Sequence, residues 1–176
     1  AAREMRDRAR RLLGDDGADL HMGTFHAMCA RWLRVDGKHI GISPDFVIYD
    51  DADQVGVMKR VLEALEVDPR RFSPRSILSA ISNAKSEMIV PEEYARRTND
   101  YFGEIVARAY VRYQEALQAA SGLDFDDLLL QTVRLFQQSP ATLEKYADRH
   151  LHVSADEFQD TNPLQYALAR QPAARP

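Results

Sequence analysis

Cysteine is almost missing from this sequence: Cys29 is the single one in 176 residues. An internal disulfide is therefore excluded, and a reducing, cytoplasmic setting is the expectation. Long apolar runs are missing too. No stretch approaches the ~20 residues that a membrane-spanning helix needs. An excess of positive charge is missing as well. Lysine and arginine total 23 against 27 acids, a net charge of −4. A basic footprint over the whole chain is excluded, so any contact with a polyanion has to be local. A phosphate-binding loop of the form G-x-x-x-x-G-K-[ST] is the most telling absence. Of the eight glycines, only Gly37 precedes a lysine, and there Trp32 and His39 fill the positions of the first Gly and the Ser/Thr.

What is present is an ordinary globular mixture, 45% hydrophobic and 28% charged. The length suits one domain, or one domain and part of another. Both ends read as cut. "AAREMRDRARRLL" opens as a helix with no start signal, and "QPAARP" reads as a frayed tail, so a fragment of a longer chain is expected.

Nearly every segment carries a helical pattern. Thr24 is placed to cap a helix that buries Phe25, Met28 and Trp32 or Leu33. Asp50 caps one with Val55, Met58, Leu62 and Leu65 on one face. "SPRSILSAISNAK" and "SPATLEKYA" each pair a capping Ser with Pro at the first helical position, and Pro91 starts another helix. The longest helix is expected over 100–121, stopped by Gly122. Asp124 then caps "FDDLLLQTVRLFQ". Extended structure is expected in "LHM", over 46–49, and in "LHVSA" (151–155).

Three segments could carry chemistry. Asp156 and Glu157 are adjacent acids at the end of "LHVSA". Such a pair can divide labour, one acid holding hydrated Mg²⁺ and its neighbour orienting an attacking water. The same pair before "NP" can equally be a helix start. In "LDFDDLLL", the acids Asp124, Asp126 and Asp127 read as a stabilised first helical turn rather than a metal cluster. "GTFH" places a hydroxyl, a ring and an imidazole at a helix N-terminus. That suits a phosphate and a stacked base, or simply a Thr cap with Phe in the core. His150 and His152 share a strand face but have no further ligands at zinc spacing.

Four blocks in order resemble the superfamily 1 ATP-dependent DNA helicases of the UvrD/PcrA/Rep group, PcrA-like members in particular. "AAREMRDRARRLL" is similar to the end of motif Ia, and "GTFHAMCARWLR" to motif Ib. "LDFDDLLL" is similar to the helix start before the Walker B strand, and "ADEFQDTNPLQY" to motif II. The resemblance covers nearly the whole chain. It implies a mainly α fold: a helical 1B subdomain at 35–147, flanked by pieces of a RecA-like α/β domain (1A) at 1–34 and 148–176. The second piece would hold the motif II strand and the helix after it.

It also implies roles. Asp156 would bind Mg²⁺ through water, Glu157 would orient the attacking water, and Gln159 would sense the γ-phosphate. Thr24, Phe25 and His26 would lie along single-stranded DNA, and Lys85 would add a DNA contact. The parent protein would use ATP and Mg²⁺ and act on single-stranded and duplex DNA, in repair or replication, with no membrane attachment. The family's motif I and motifs III to VI are not in this sequence, so the fragment is expected to bind no cofactor and to be inactive. "HVSA" is also less apolar than the family's strand. The rival reading is a standalone DNA-binding or protein-interaction helical module without ATPase activity.

Overall fold

The computed structural model describes residues 7–8, 11–12, 21–150 and 153–173. Residues 7–8 and 11–12 are helical, and the rest of the helix expected over 1–13 lies outside the described residues. The fold is mainly α. Among the described residues no helix is long and apolar enough to cross a membrane.

Side-chain caps set most helix starts. Helix α1 (Phe25–Asp36) begins where the Thr24 hydroxyl accepts from Ala27 N at 3.2 Å. A 3₁₀ turn (Gly37–Ile40) and the two-residue strand β1 (Val47–Ile48) follow. Helix α2 (Asp51–Ala64) opens with a reciprocal capping box between Asp50 and Asp53. Helices α3 (Pro74–Ser86) and α4 (Pro91–Arg97) both start on proline, whose missing N–H costs nothing there. Helix α5 (Tyr101–Ala119) is capped by Asp100. Strand β2 (Gly122–Leu123) leads into α6 (Phe125–Gln138), opened by a second capping box between Asp124 and Asp127. Helices α7 (Pro140–Arg149) and α8 (Pro163–Ala173) complete the order.

Among the described residues, the buried side chains form two clusters. The first joins α2, α3 and α5 through Val57, Met58, Leu62, Ile77, Ile81, Val106 and Tyr113. The second joins α1, α6, α7 and α8 through Cys29, Trp32, Leu33, Leu129, Phe136, Tyr146, Leu164 and Leu168. Helix α6 and most of α7 fall within 35–147, yet they share their core with α1 and α8. Asp36 ties the end of α1 to α7, accepting from Lys145 Nζ at 2.8 Å and Tyr146 Oη at 2.6 Å.

Around the short sheet and at the start of α7 the structure departs from the sequence expectation. The sheet is a parallel pair, with Val47 beside Gly122 and Ile48 beside Leu123. Its second strand lies where the sequence suggests only a helix stop. The left-handed residue after α5 is Ser121 (φ 48°), not Gly122. Gly122 serves a different purpose: a Cβ there would sit 2.4 Å from Cε2 of Tyr49. Ser139 gives no backbone cap to α7, because its hydroxyl pairs with that of Thr142 at 2.8 Å.

Gly122→Ala must therefore displace the half-buried Tyr49 ring or break the β1–β2 pair. A loss of roughly 1–3 kcal/mol is expected, as for an overpacked core site, and urea unfolding measures it. Wild-type stability in that variant would show that the ring gives way freely.

Candidate functional site

The expected strand before the acid pair is not formed over Val153–Ala155, and Leu151 and His152 lie outside the described residues. Residues 153–155 are exposed and pair with no strand among the described residues, and a lone run has no ladder to hold it extended. The chain then turns sharply. Glu157 is left-handed (φ 51°, ψ 39°), a conformation that costs a side-chain-bearing residue energy and is common at functional sites. A 3₁₀ turn, Phe158–Asp160, follows.

Within this turn the candidate residues meet. Gln159 Nε2 donates to Glu157 Oε2. Asp156 Oδ1 accepts from Glu157 N at 3.0 Å. Both acids are exposed. Asn162 closes the segment by accepting from Gln165 N at 2.8 Å, which starts α8, and its Nδ2 donates to Ser86 Oγ of α3 at 3.4 Å. Among the described residues no three His, Cys, Asp or Glu side chains converge on a metal position. The donor set of the turn fits a hard ion such as Mg²⁺, which takes one or two carboxylates and keeps its remaining ligands as water and phosphate.

At the start of α1 the structure separates the three expected residues. The Thr24 hydroxyl is engaged as the helix cap. Phe25 leans on the second core. His26 is half-buried, with its ring 5.8 Å from that of Phe125 and perpendicular to it. Burial holds the imidazole below its ordinary pKa, and the charge of Asp126 only partly offsets this. His26 is therefore uncharged at neutral pH and offers a hydrogen bond or a ring face rather than a cation.

Lys85 is a correction. It is 0% exposed, and no surface phosphate can reach its ammonium as the chain is folded. Its Nζ lies 2.7 Å from Asp124 Oδ2 and 2.8 Å from Asp127 Oδ1. Tyr113 Oη adds a 3.0 Å bond to Asp124 Oδ2. Desolvation alone would lower the Lys85 pKa, but Asp127 and Asp124 together raise it. Asp127 is raised to about 6, by burial first and by the Asp124 charge, against the pull of Lys85. The two shifts are consistent. The cation faces two anions, while each anion faces one cation and one anion, so the cluster holds an excess negative charge.

A second surface escaped sequence reasoning. In "DPRRFSPRS", the Phe72 ring meets that of Tyr101 edge-on at 5.6 Å and stacks with that of Phe102 at 6.2 Å. The Arg71 guanidinium lies 5.9 Å over Phe72. Arg70, Arg71 and Arg75 are exposed, and Tyr101 is 59% exposed. The run of three arginines around a phenylalanine was the available signal. The two aromatic partners come from α5 and are not local in sequence.

The family described as UvrD/REP helicase N-terminal domain matches residues 1–175. The ATP-dependent DNA helicase PcrA of Bacillus subtilis strain 168 is 44% identical over 175 residues, which is 99% of this chain and 24% of that protein. The protein of the same name from Staphylococcus aureus strain NCTC 8325 is 42% identical over the same shares. That of Staphylococcus epidermidis strain ATCC 12228 is 43% identical over 97% of this chain and 23% of its own length. The chain thus spans about a quarter of the length of the curated relatives it matches.

Proposed function

The chain belongs to the family of UvrD/REP helicase N-terminal domains, and on that premise we propose that it is part of an ATP-dependent DNA helicase that couples nucleotide hydrolysis to movement along single-stranded DNA. The observation that carries this reading is the 156–160 turn. Two exposed acids and a glutamine are gathered there at a strained left-handed residue.

We assign the first core to the helical 1B subdomain and the second to the 1A RecA-like domain. The division follows the cores rather than the limits 35 and 147, so α6 and α7 go with 1A. Asp156 would hold Mg²⁺ through water, and the ion with ATP would supply charge neutralisation at the phosphates. Glu157 would orient the attacking water, and the bond from Gln159 would fix the Glu157 carboxylate. No segment of this chain supplies a phosphate loop. Positioning and charge stabilisation must act together in phosphoryl transfer, so the chain alone would release phosphate at no more than background.

Two surfaces would meet DNA. One is the α1 start with His26. The other is the arginine and aromatic patch of Arg70, Arg71, Phe72, Arg75, Tyr101 and Phe102, where rings can stack bases and guanidinium groups can take phosphates.

Fluorescence anisotropy with a labelled single-stranded oligonucleotide tests this. Binding should be weak and should fall as salt rises, because phosphate contacts release counterions. The triple change Arg70→Ala, Arg71→Ala and Arg75→Ala should flatten the log–log salt slope by about 2, at ~0.7 per phosphate contact. His26→Ala should weaken binding with little change in slope, since that residue is uncharged at neutral pH. Salt-independent binding, or binding indifferent to both changes, would overturn the assignment.

A further inference from the structure

The chain crosses between the two cores twice, and the crossings run side by side. β1 leads from the second core into α2, and β2 leads from α5 back into α6. They are joined by Val47 N to Ser121 O at 3.0 Å and Tyr49 N to Leu123 O at 2.9 Å. Open space flanks the junction on two sides. A cleft of about 450 Å³ lies between Val90, Gln114 and Leu117 on one wall and Phe46, Leu130 and Arg134 on the other. A groove of about 370 Å³ lies between α2, α3 and the Phe125–Asp126 end of α6.

Between these openings the cores meet through charge. Lys85 of α3, with Tyr113 and Gln114 of α5, donates to Asp124 and Asp127 at the start of α6. Every side-chain donor comes from the first core's helices, and both carboxylates come from the second core's side, where the α6 capping box also holds them. A buried ionic cluster of this kind adds little net stability, since apolar side chains of similar volume would do as well or better. It differs from an apolar contact in being directional. Apolar surfaces can slide, whereas an ammonium held at 2.7 and 2.8 Å by two fixed carboxylates cannot.

We propose that the Lys85–Asp124–Asp127 cluster is an orientation lock, which holds the first core at a fixed angle to the second about the β1–β2 crossing. Lys85 is thereby a positioning residue. It keeps the arginine and aromatic patch in register with His26 and the 156–160 turn. That last consequence rests on the proposed function; the lock itself does not.

The test is a distance measurement. Ala64→Cys and Gln138→Cys place spin labels on exposed ends of α2 and α6, one on each side of the junction. Cys29 stays unlabelled, because burial pushes its thiol up to about 12. The variant K85M/D124N/D127N removes all three charges and keeps an asparagine cap on α6. Its helical signal and Trp32 fluorescence should match the parent, while its interprobe distance distribution should broaden about twofold, as a directional contact is exchanged for a non-directional one. A folded variant with the parent's narrow distribution overturns the lock. Should the triple variant not fold, Asp127→Asn alone leaves the Lys85–Asp124 pair. A smaller broadening is then expected, and none at all overturns the proposal.

An oligonucleotide long enough to touch both surfaces should lose affinity in the triple variant, while one short enough to touch a single surface should not. If the unmodified chain binds neither oligonucleotide, the proposed function fails, and the distance result still decides the lock.

Discussion

Lys85→Met is expected to cost this chain about 3–5 kcal/mol of stability, the usual penalty for removing one partner of a buried ion pair. The methionine fits the volume. The loss comes from Asp124 and Asp127, which are 2% and 1% exposed and would face each other without a cation. Their positions are fixed by the capping box of α6, so neither can swing out to water without loosening that helix start.

The penalty should depend on pH with a definite sign. In the parent, Asp127 is raised to about 6 from an ordinary 3.8. The folded form therefore binds that proton more tightly than the unfolded form does. The Asp127 contribution grows as pH falls from above 6 toward 4, and below that it is constant. Without Lys85 the Asp127 carboxyl loses the charge that opposes its rise, so it should take its proton at still higher pH and the variant should regain stability on acidification. Lys85 itself is raised above 10.5, so its contribution is complete below that value and is lost as pH rises through its folded pKa. Asp36 runs the other way. Burial alone would raise it, but hydrogen bonds from Lys145 and Tyr146 hold it below 3.8, so its contribution is lost only in stronger acid. Urea midpoints of parent and Lys85→Met at pH 8 and pH 5 make the comparison. A penalty that does not shrink at pH 5 would mean that the carboxylates find another partner.

The helix starts were legible in the sequence because their signals are local. Asp50, Ser73, Asp100 and Asp124 each cap the helix that follows them by bonding a backbone N–H within three residues. The tertiary partners of polar residues were not legible. Lys85 reads as a surface residue because lysine is almost never fully buried unless paired. Its partner Asp124 lies 39 residues further on, and nothing near Lys85 announces it. The same holds for Phe72, whose arginines are neighbours in sequence but whose ring partners arrive from α5. Glycine misled for a different reason. Gly122 looks like a helix stop that needs a left-handed residue, whereas it is required by the approach of Tyr49. At the candidate site the residue types were legible and the backbone was not. An apolar run predicts a strand only where a partner pairs with it, and Val153–Ala155 have none among the described residues.

The double change Leu164→Ala and Leu168→Ala should dissolve the second core and leave the first standing. Leu164 and Leu168 are 0% and 3% exposed, and they are the buried residues by which α8 enters the core of α1, α6 and α7. Each truncation should cost about 2–5 kcal/mol, and the two lie one turn apart on one face, so they empty a single continuous space. A small domain has on the order of 5–15 kcal/mol in total, so the pair should exhaust what the second core holds. The first core contains neither residue, and α2, α3 and α5 bring their own caps. The two cores can be watched separately. Trp32 is the chain's only tryptophan and is packed in the second core against Phe136 and Tyr146. In the double variant its emission should shift to that of a solvent-exposed indole without denaturant. Far-UV circular dichroism should retain the signal of the first core and lose it cooperatively at higher urea. The 156–160 turn lies directly before α8, so its acids lose their anchorage in the same variant. Coincident loss of fluorescence and helical signal would show instead that the Lys85 junction binds the two cores into a single folding unit.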